Sequence, residues 1–246
     1  DALIVADVAV LADARRRHPG LRLHLSVQAS ATNYEALGFY RERYGIERAV
    51  LPRVLTLQQV QHLARQTELP LEVFGFGSLC VMVEGRCALS SYVTGQSPNT
   101  AGVCSPPSAV QWEDAPDGVH ARLGGVLIDQ YAPGEPRGYP TLCKGRFSVD
   151  ALARDYALEE PTSLNTLSLL PQLIETGIAA IKIEGRQRSP SYVAEVTRIW
   201  RTAIDSAWSA QQGAGRYSVL PGWDAGLARW AEGQQHTLGA YDRPWR

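Results

Sequence analysis

The chain has 246 residues, 24 Lys and Arg against 25 Asp and Glu, 45% hydrophobic and 20% charged residues. It can bury a core, so it is not a disordered chain, and a formal net charge of −1 excludes a globally basic nucleic-acid binder. No run of ~18 uncharged apolar residues occurs and the N-terminus lacks a basic, signal-like start, so the expectation is a cytoplasmic protein with no transmembrane segment.

Taken in chain order, residues 3–6 are a short apolar run and 8–17 a helix that stops near Pro19 and Gly20. Residues 23–28 alternate with period two, as a strand does. Asn33 caps a helix over 34–44, which Gly45 ends. Residues 49–54 are the next strand, Thr56 precedes a helix to about Thr67, and 71–77 form a fourth strand. This β/α alternation argues for a parallel sheet with crossover helices, and its spacing suits a TIM-type (β/α) barrel, whose eight units take roughly 250 residues. Residues 78–160 break the rhythm with many Gly and Pro, and only 126–129 and 137–139 suggest short β pieces. The region reads as an insertion built around something other than a hydrophobic core. Alternation resumes with a helix over 166–176, ended by Gly177, a strand over 178–185 and a strong helix over 192–208. The expected organisation is β/α units over 1–77, the cysteine-bearing insertion over 78–160, and closing β/α units with a tail over 161–246. All tryptophans but Trp112 fall from Trp200 onward, as core or as partner surface.

Cys80, Cys87, Cys104 and Cys143 all lie in the insertion, spaced C-x6-C-x16-C-x38-C beside turn-forming residues. Without an export signal, spaced cysteines more often bind metal than crosslink. Four thiolates suit an iron–sulfur cluster or zinc, and free or disulfide-bonded cysteines are the remaining reading. The C-x2-4-C pairs usual for structural zinc are absent. Arg86 and Lys144 sit beside cysteines and would favour thiolates.

Lys182-Ile183-Glu184-Gly185-Arg186 is the sharpest feature outside the cysteines. Lys182 and Glu184 share one face of an apolar strand; facing a barrel interior, they would sit near its C-terminal mouth, where barrel enzymes bind substrate. The alternative is a buried ion pair. Gln28, Arg53 and Glu72 lie in or at the ends of other strands, and together these residues would make a charged pocket. His24 reads as a satisfied structural histidine. Gly75-Phe76-Gly77-Ser78 matches neither a nucleophile elbow nor a phosphate loop and reads as a close-approach turn feeding Cys80.

Several long runs carry a resemblance. Leu71-Glu72-Val73-Phe74-Gly75-Phe76-Gly77-Ser78-Leu79-Cys80, Glu84-Gly85-Arg86-Cys87, Cys104-Ser105-Pro106, Tyr139-Pro140-Thr141-Leu142-Cys143-Lys144-Gly145-Arg146 and Lys182-Ile183-Glu184-Gly185-Arg186 resemble the collagenase-like "peptidase U" family that includes YegQ. The runs Val27-Gln28-Ala29-Ser30-Ala31-Thr32-Asn33 and Glu159-Glu160-Pro161-Thr162-Ser163-Leu164-Asn165-Thr166 are similar to its branch in oxygen-independent ubiquinone biosynthesis. The resemblance implies a 4Fe–4S cluster on Cys80, Cys87, Cys104 and Cys143, and a heterodimer with a second cluster-bearing member, UbiV. It implies hydroxylation of a ubiquinone precursor without O2, prephenate as oxygen donor, and a lipid-binding UbiT-like protein presenting the precursor. Glu184, Lys182, Arg186, Arg53 and Gln28 are the candidate catalytic residues. RNA hydroxylation, as in sister members, and a zinc-stabilised hydrolase are the competing readings. Family members begin with earlier β/α units, so about two or three of eight are expected to be missing here.

Overall fold

A computed structural model describes the chain except at residues 81, 83–85, 149–152, 214 and 243–246. It divides into two compact units, Asp1–Leu79 with Ser163–Arg246, and Cys80–Thr162. Along the chain run β1 (Ala2–Val5), α1 (Val8–Arg17), β2 (Arg22–Leu25), α2 (Tyr34–Tyr44), β3 (Arg48–Val50), α3 (Leu57–Gln66) and β4 (Leu71–Ser78). The second unit holds α4 (Ala88–Thr94), α5 (Pro98–Ala101), β5 (Val110–Ala115), β6 (Gly118–Leu123), β7 (Val126–Tyr131), β8 (Arg146–Phe147) and β9 (Asp155–Tyr156). The first unit resumes with β10 (Ser163–Asn165), α6 (Leu170–Glu175), β11 (Ala180–Ile183), α7 (Pro190–Gln211), α8 (Pro221–Ala228) and β12 (His236–Thr237).

In the first unit, β1, β2, β3 and β4 pair in parallel in that order, and β11 pairs in parallel with β4. β10 runs antiparallel to β4 and parallel to β12. This is the predicted mixed α/β arrangement with crossover helices; among the described residues β1 pairs with β2 alone, and no closed barrel is seen.

The helices start where side chains satisfy orphan backbone donors. Asp7 accepts from Ala9 N and Val10 N, Asn33 from Ala36 N, and Thr56 with Gln59 forms a capping box. Leu11, Leu37 and Leu63 pack against Leu23, Leu25, Ala49, Leu71 and Val73 on one face of the sheet. A second core joins Val196, Ile199, Trp200 and Ala203 of α7 to Phe76 and Leu227.

Residues 26–28, read as strand, instead leave β2 through Ser26 into a 3-10 turn over Val27–Ala29, because the Ser26 hydroxyl accepts from Gln28 N at 3.3 Å. Gly75 and Gly77 are not in a turn but inside β4. A Cβ on Gly75 would stand 2.4 Å from Ile181 and 2.8 Å from Trp200, so the missing side chain is what lets β11 and α7 close on the strand. The tail, which carries no clear pattern, forms α8 and β12. Trp200 is buried and Trp223 and Trp230 pack on the second core, while Trp208 is exposed and Trp245 lies outside the described residues.

The second unit contains an antiparallel meander, β5–β6–β7. β6 buries Val119, Ala121 and Leu123 in alternation, and β7 adds Ile128 and Tyr131, so the unit does have an apolar face. Residues 137–139, read as a β piece, form no strand; flanking Pro136 and Pro140 lack the N–H a ladder needs.

Candidate functional site

The four cysteines all fall in the second unit and all are reduced. Cys80 is exposed and the other three are partly buried. Cys87 is the N-cap of α4, and its Sγ accepts from Ser90 N at 3.3 Å. The buried Ser90 hydroxyl in turn donates to the Cys104 carbonyl. Cys143 sits in the 3-10 turn Leu142–Lys144, where its carbonyl accepts from Glu159 N at 3.1 Å. The Tyr139 hydroxyl donates to the Ser105 carbonyl at 3.2 Å, bracing the loop behind Cys104. Of the Glu84-Gly85-Arg86-Cys87 run, Glu84 and Gly85 lie outside the described residues.

These thiols feel one another. Burial pushes the Cys143 thiol up to about 12; Lys144 opposes the rise, and Cys80, Cys104 and Cys87 add to it. Burial also raises the Cys104 thiol, against a hydrogen bond from Ser105, with Cys87 adding to the rise. Cysteines spread over residues 80–143 thus come within electrostatic reach of Cys143. Such a set is all soft donor, and it becomes fully ionised only around positive charge. Among the described residues, no three His, Cys, Asp or Glu side chains are placed around a single metal ion.

The first unit gathers charge at β4 and β11. Arg53 Nη1 lies 3.1 Å from Glu184 Oε2 and donates to the Ser78 carbonyl at 2.7 Å, with its guanidinium 4.2 Å above the Phe74 ring. Gly77, at φ +133°, has no Cβ, and one placed there would meet the Glu184 Cβ at 2.4 Å. The Tyr192 hydroxyl donates to the Glu184 carbonyl at 2.8 Å. Beside this pair, Arg188 Nη2 reaches Glu232 at 2.8 Å, and the Ser78 hydroxyl donates to the same carboxylate at 3.2 Å. Lys182 Nζ lies 3.5 Å from Glu72.

Of the candidate residues, Arg53 is therefore joined to Glu184 and Lys182 to Glu72. β11 ends at Ile183, so Lys182 lies within the strand and Glu184 just beyond it, and the two charges fall in different ion pairs. Gln28 stands on the turn after β2, and Arg186 is exposed beyond β11. Arg48, Arg188 and Glu232 were not singled out by sequence. Arg48 opens an apolar strand, a signal that could have found it; Glu232 lies in the patternless tail.

Together these features define an α/β protein with a parallel sheet, a charged sheet face, and a separate cysteine-bearing unit. The chain belongs to peptidase family U32, whose model matches residues 1–239. It is 31% identical over 227 residues to tRNA hydroxylation protein P of Escherichia coli, covering 84% of this chain and 49% of that protein. It is 34% identical over 211 residues to an uncharacterized protease of Methanocaldococcus jannaschii, covering 84% and 44%. It is 27% identical over 241 residues to a collagenase of Porphyromonas gingivalis, covering 92% and 49%. The chain spans about half the length of the curated relatives it matches. No solved structure matches it. Among the described residues no helix is long and apolar enough to cross a membrane.

Proposed function

We propose that the chain is the iron–sulfur subunit of an O2-independent hydroxylase of anaerobic ubiquinone biosynthesis, a counterpart of UbiU. The observation that carries this reading is that Cys80, Cys87, Cys104 and Cys143 all lie, as free thiols, within one compact unit, with Ser90 tying the Cys87 and Cys104 loops together. Their all-sulfur donor set fits a 4Fe–4S cluster, which would supply electron transfer. The relatives named for tRNA hydroxylation support hydroxylation chemistry in the family. The runs 27–33 and 159–166 support ubiquinone as the pathway, with UbiV as heterodimer partner, a UbiT-like protein presenting the precursor, and prephenate as oxygen donor.

A second reading, RNA hydroxylation, draws on the names of those same relatives. A net charge of −1 weighs against it, because RNA binding draws on phosphate electrostatics. The test is anaerobic co-purification with the partner, iron and sulfide analysis, and parallel assays on a ubiquinone precursor and on tRNA. Iron and sulfide with precursor turnover supports the first reading. Turnover of tRNA alone supports the second, and stoichiometric zinc without iron defeats both.

A further inference from the structure

His24 is not the satisfied histidine that the sequence suggests. The residue is 7% exposed, and Nε2 has no hydrogen-bond partner among the described residues. A buried polar group left unpaired is destabilising, because it gives up its hydrogen bonds to water without replacing them. Leu23 and Leu25 enter the helix-covered core, so His24 between them faces the other side of the sheet. It stands directly across from Arg48 of β3. Glu72, between the core residues Leu71 and Val73, shares that face by the same alternation.

There one carboxylate serves two cations. Glu72 Oε2 lies 3.5 Å from Arg48 Nη1, and Oε1 lies 3.5 Å from Lys182 Nζ. Both contacts are long. The Glu72 side chain is 11% exposed and those of the cations are 30% and 31% exposed. Among the described residues neither cation has a second acidic partner, so one positive charge is unmatched beside an unpartnered imidazole. Burial, then Arg48 and Arg22, hold the imidazole below its ordinary protonation range against Glu72 and Glu47, so it stays neutral.

We propose that His24, Arg48 and Lys182 form a binding site for the carboxylate of a small organic acid. A second carboxylate makes the charge count two against two. The Arg48 fork and the Lys182 ammonium supply charge-assisted hydrogen bonds, and the Nε2–H tautomer of His24 gains the partner it lacks. Glu72 holds the two cations and limits the site to one further anion. Naming this acid as the oxygen donor rests on the reading above; carboxylate recognition rests on these four residues alone.

The experiment is calorimetric titration of the anaerobically purified full chain with prephenate, and separately with succinate and citrate. Iron content and melting temperature report folding. Prephenate is expected to bind, and Arg48→Gln and Lys182→Gln are each expected to weaken it about tenfold or more. Glu72→Gln is expected to tighten binding by removing the competing carboxylate, whereas a purely structural charge layer gains nothing from that change. If Glu72→Gln does not fold, the two cation variants decide. Unchanged affinity in folded Arg48→Gln and Lys182→Gln overturns the site, as does a wild-type chain that binds none of the acids. If succinate or citrate binds with this residue dependence and prephenate does not, the site stands and the oxygen-donor reading fails.

Discussion

Arg53 and Glu184 lie 131 residues apart in sequence and meet at 3.1 Å. Their side chains are 9% and 27% exposed, so the pair is largely withdrawn from water and its Coulomb attraction is only partly screened. Three features of β4 prepare the meeting: Ser78 offers its carbonyl, Phe74 its ring face, and Gly77 the space for Glu184. If this carboxylate moves a proton or binds a donor, Glu184→Gln lowers hydroxylation on the order of a hundredfold or more, with iron content unchanged. Steady-state assay beside iron analysis checks this; full activity in the variant assigns the pair to structure alone.

Gly75 makes a stability prediction. Gly75→Ala forces a methyl against the Ile181 side chain and the buried Trp200 ring, and neither the β-branched chain nor the enclosed indole can yield freely. The expected loss is about 1–3 kcal/mol. It is read as a lower urea midpoint at unchanged slope.

Much of this was legible in the sequence. Asn33 and Gly45 marked both ends of α2, and Lys182 and Glu184 on an apolar strand marked buried charge, although the two fall in different ion pairs. The meander was legible only at 126–129, which lie inside β7; in β5, Gln111, Trp112, Glu113 and Asp114 are exposed, leaving no apolar alternation to read. The network around Glu232 was hidden for another reason. Its carboxylate meets Ser78 154 residues away, and no local periodicity encodes such a contact.

Ser90 ties two cysteine loops together, through its N–H to Cys87 Sγ and its hydroxyl to the Cys104 carbonyl. Ser90→Ala keeps the first bond and loses the second. The expected result is faster loss of iron to a chelator, with the fold retained and the defect partly restored in Ser90→Thr. Equal rates in all three proteins would remove Ser90 from any role in holding the loops.

The alkaline limit of stability follows from buried tyrosines. Burial raises the hydroxyls of Tyr131, Tyr192 and Tyr217 from 10.0 to about 12. Above pH ~10 the unfolded chain has released protons that the folded chain keeps, so stability falls as pH rises. It is fully present below pH ~10 and lost toward pH ~12. Denaturant titrations at increasing pH should show a falling midpoint in that window, shallower in Tyr217→Phe; a midpoint independent of pH there contradicts the assignment.

The cysteine set makes the last prediction. Cys143 is buried enough that its thiol stays protonated at neutral pH in the absence of a metal centre, and three other sulfurs oppose its ionisation. A bound cluster replaces those protons and links four segments, so its binding free energy is folding free energy for residues 80–162. Replacing any one of Cys80, Cys87, Cys104 or Cys143 by Ala should lose most of the iron and the visible colour. Limited proteolysis should then cut within 80–162 in the iron-free protein while the parallel sheet of the first unit survives, since its core of Leu23, Leu25, Ala49 and Val73 owes nothing to the metal. Zinc at full stoichiometry and no iron in the anaerobically prepared wild type, or iron retained in every single variant, would sink the cluster assignment. Loss of iron in only one variant, with colour kept in the other three, would narrow the ligand set to that cysteine and move the remaining coordination elsewhere in the chain.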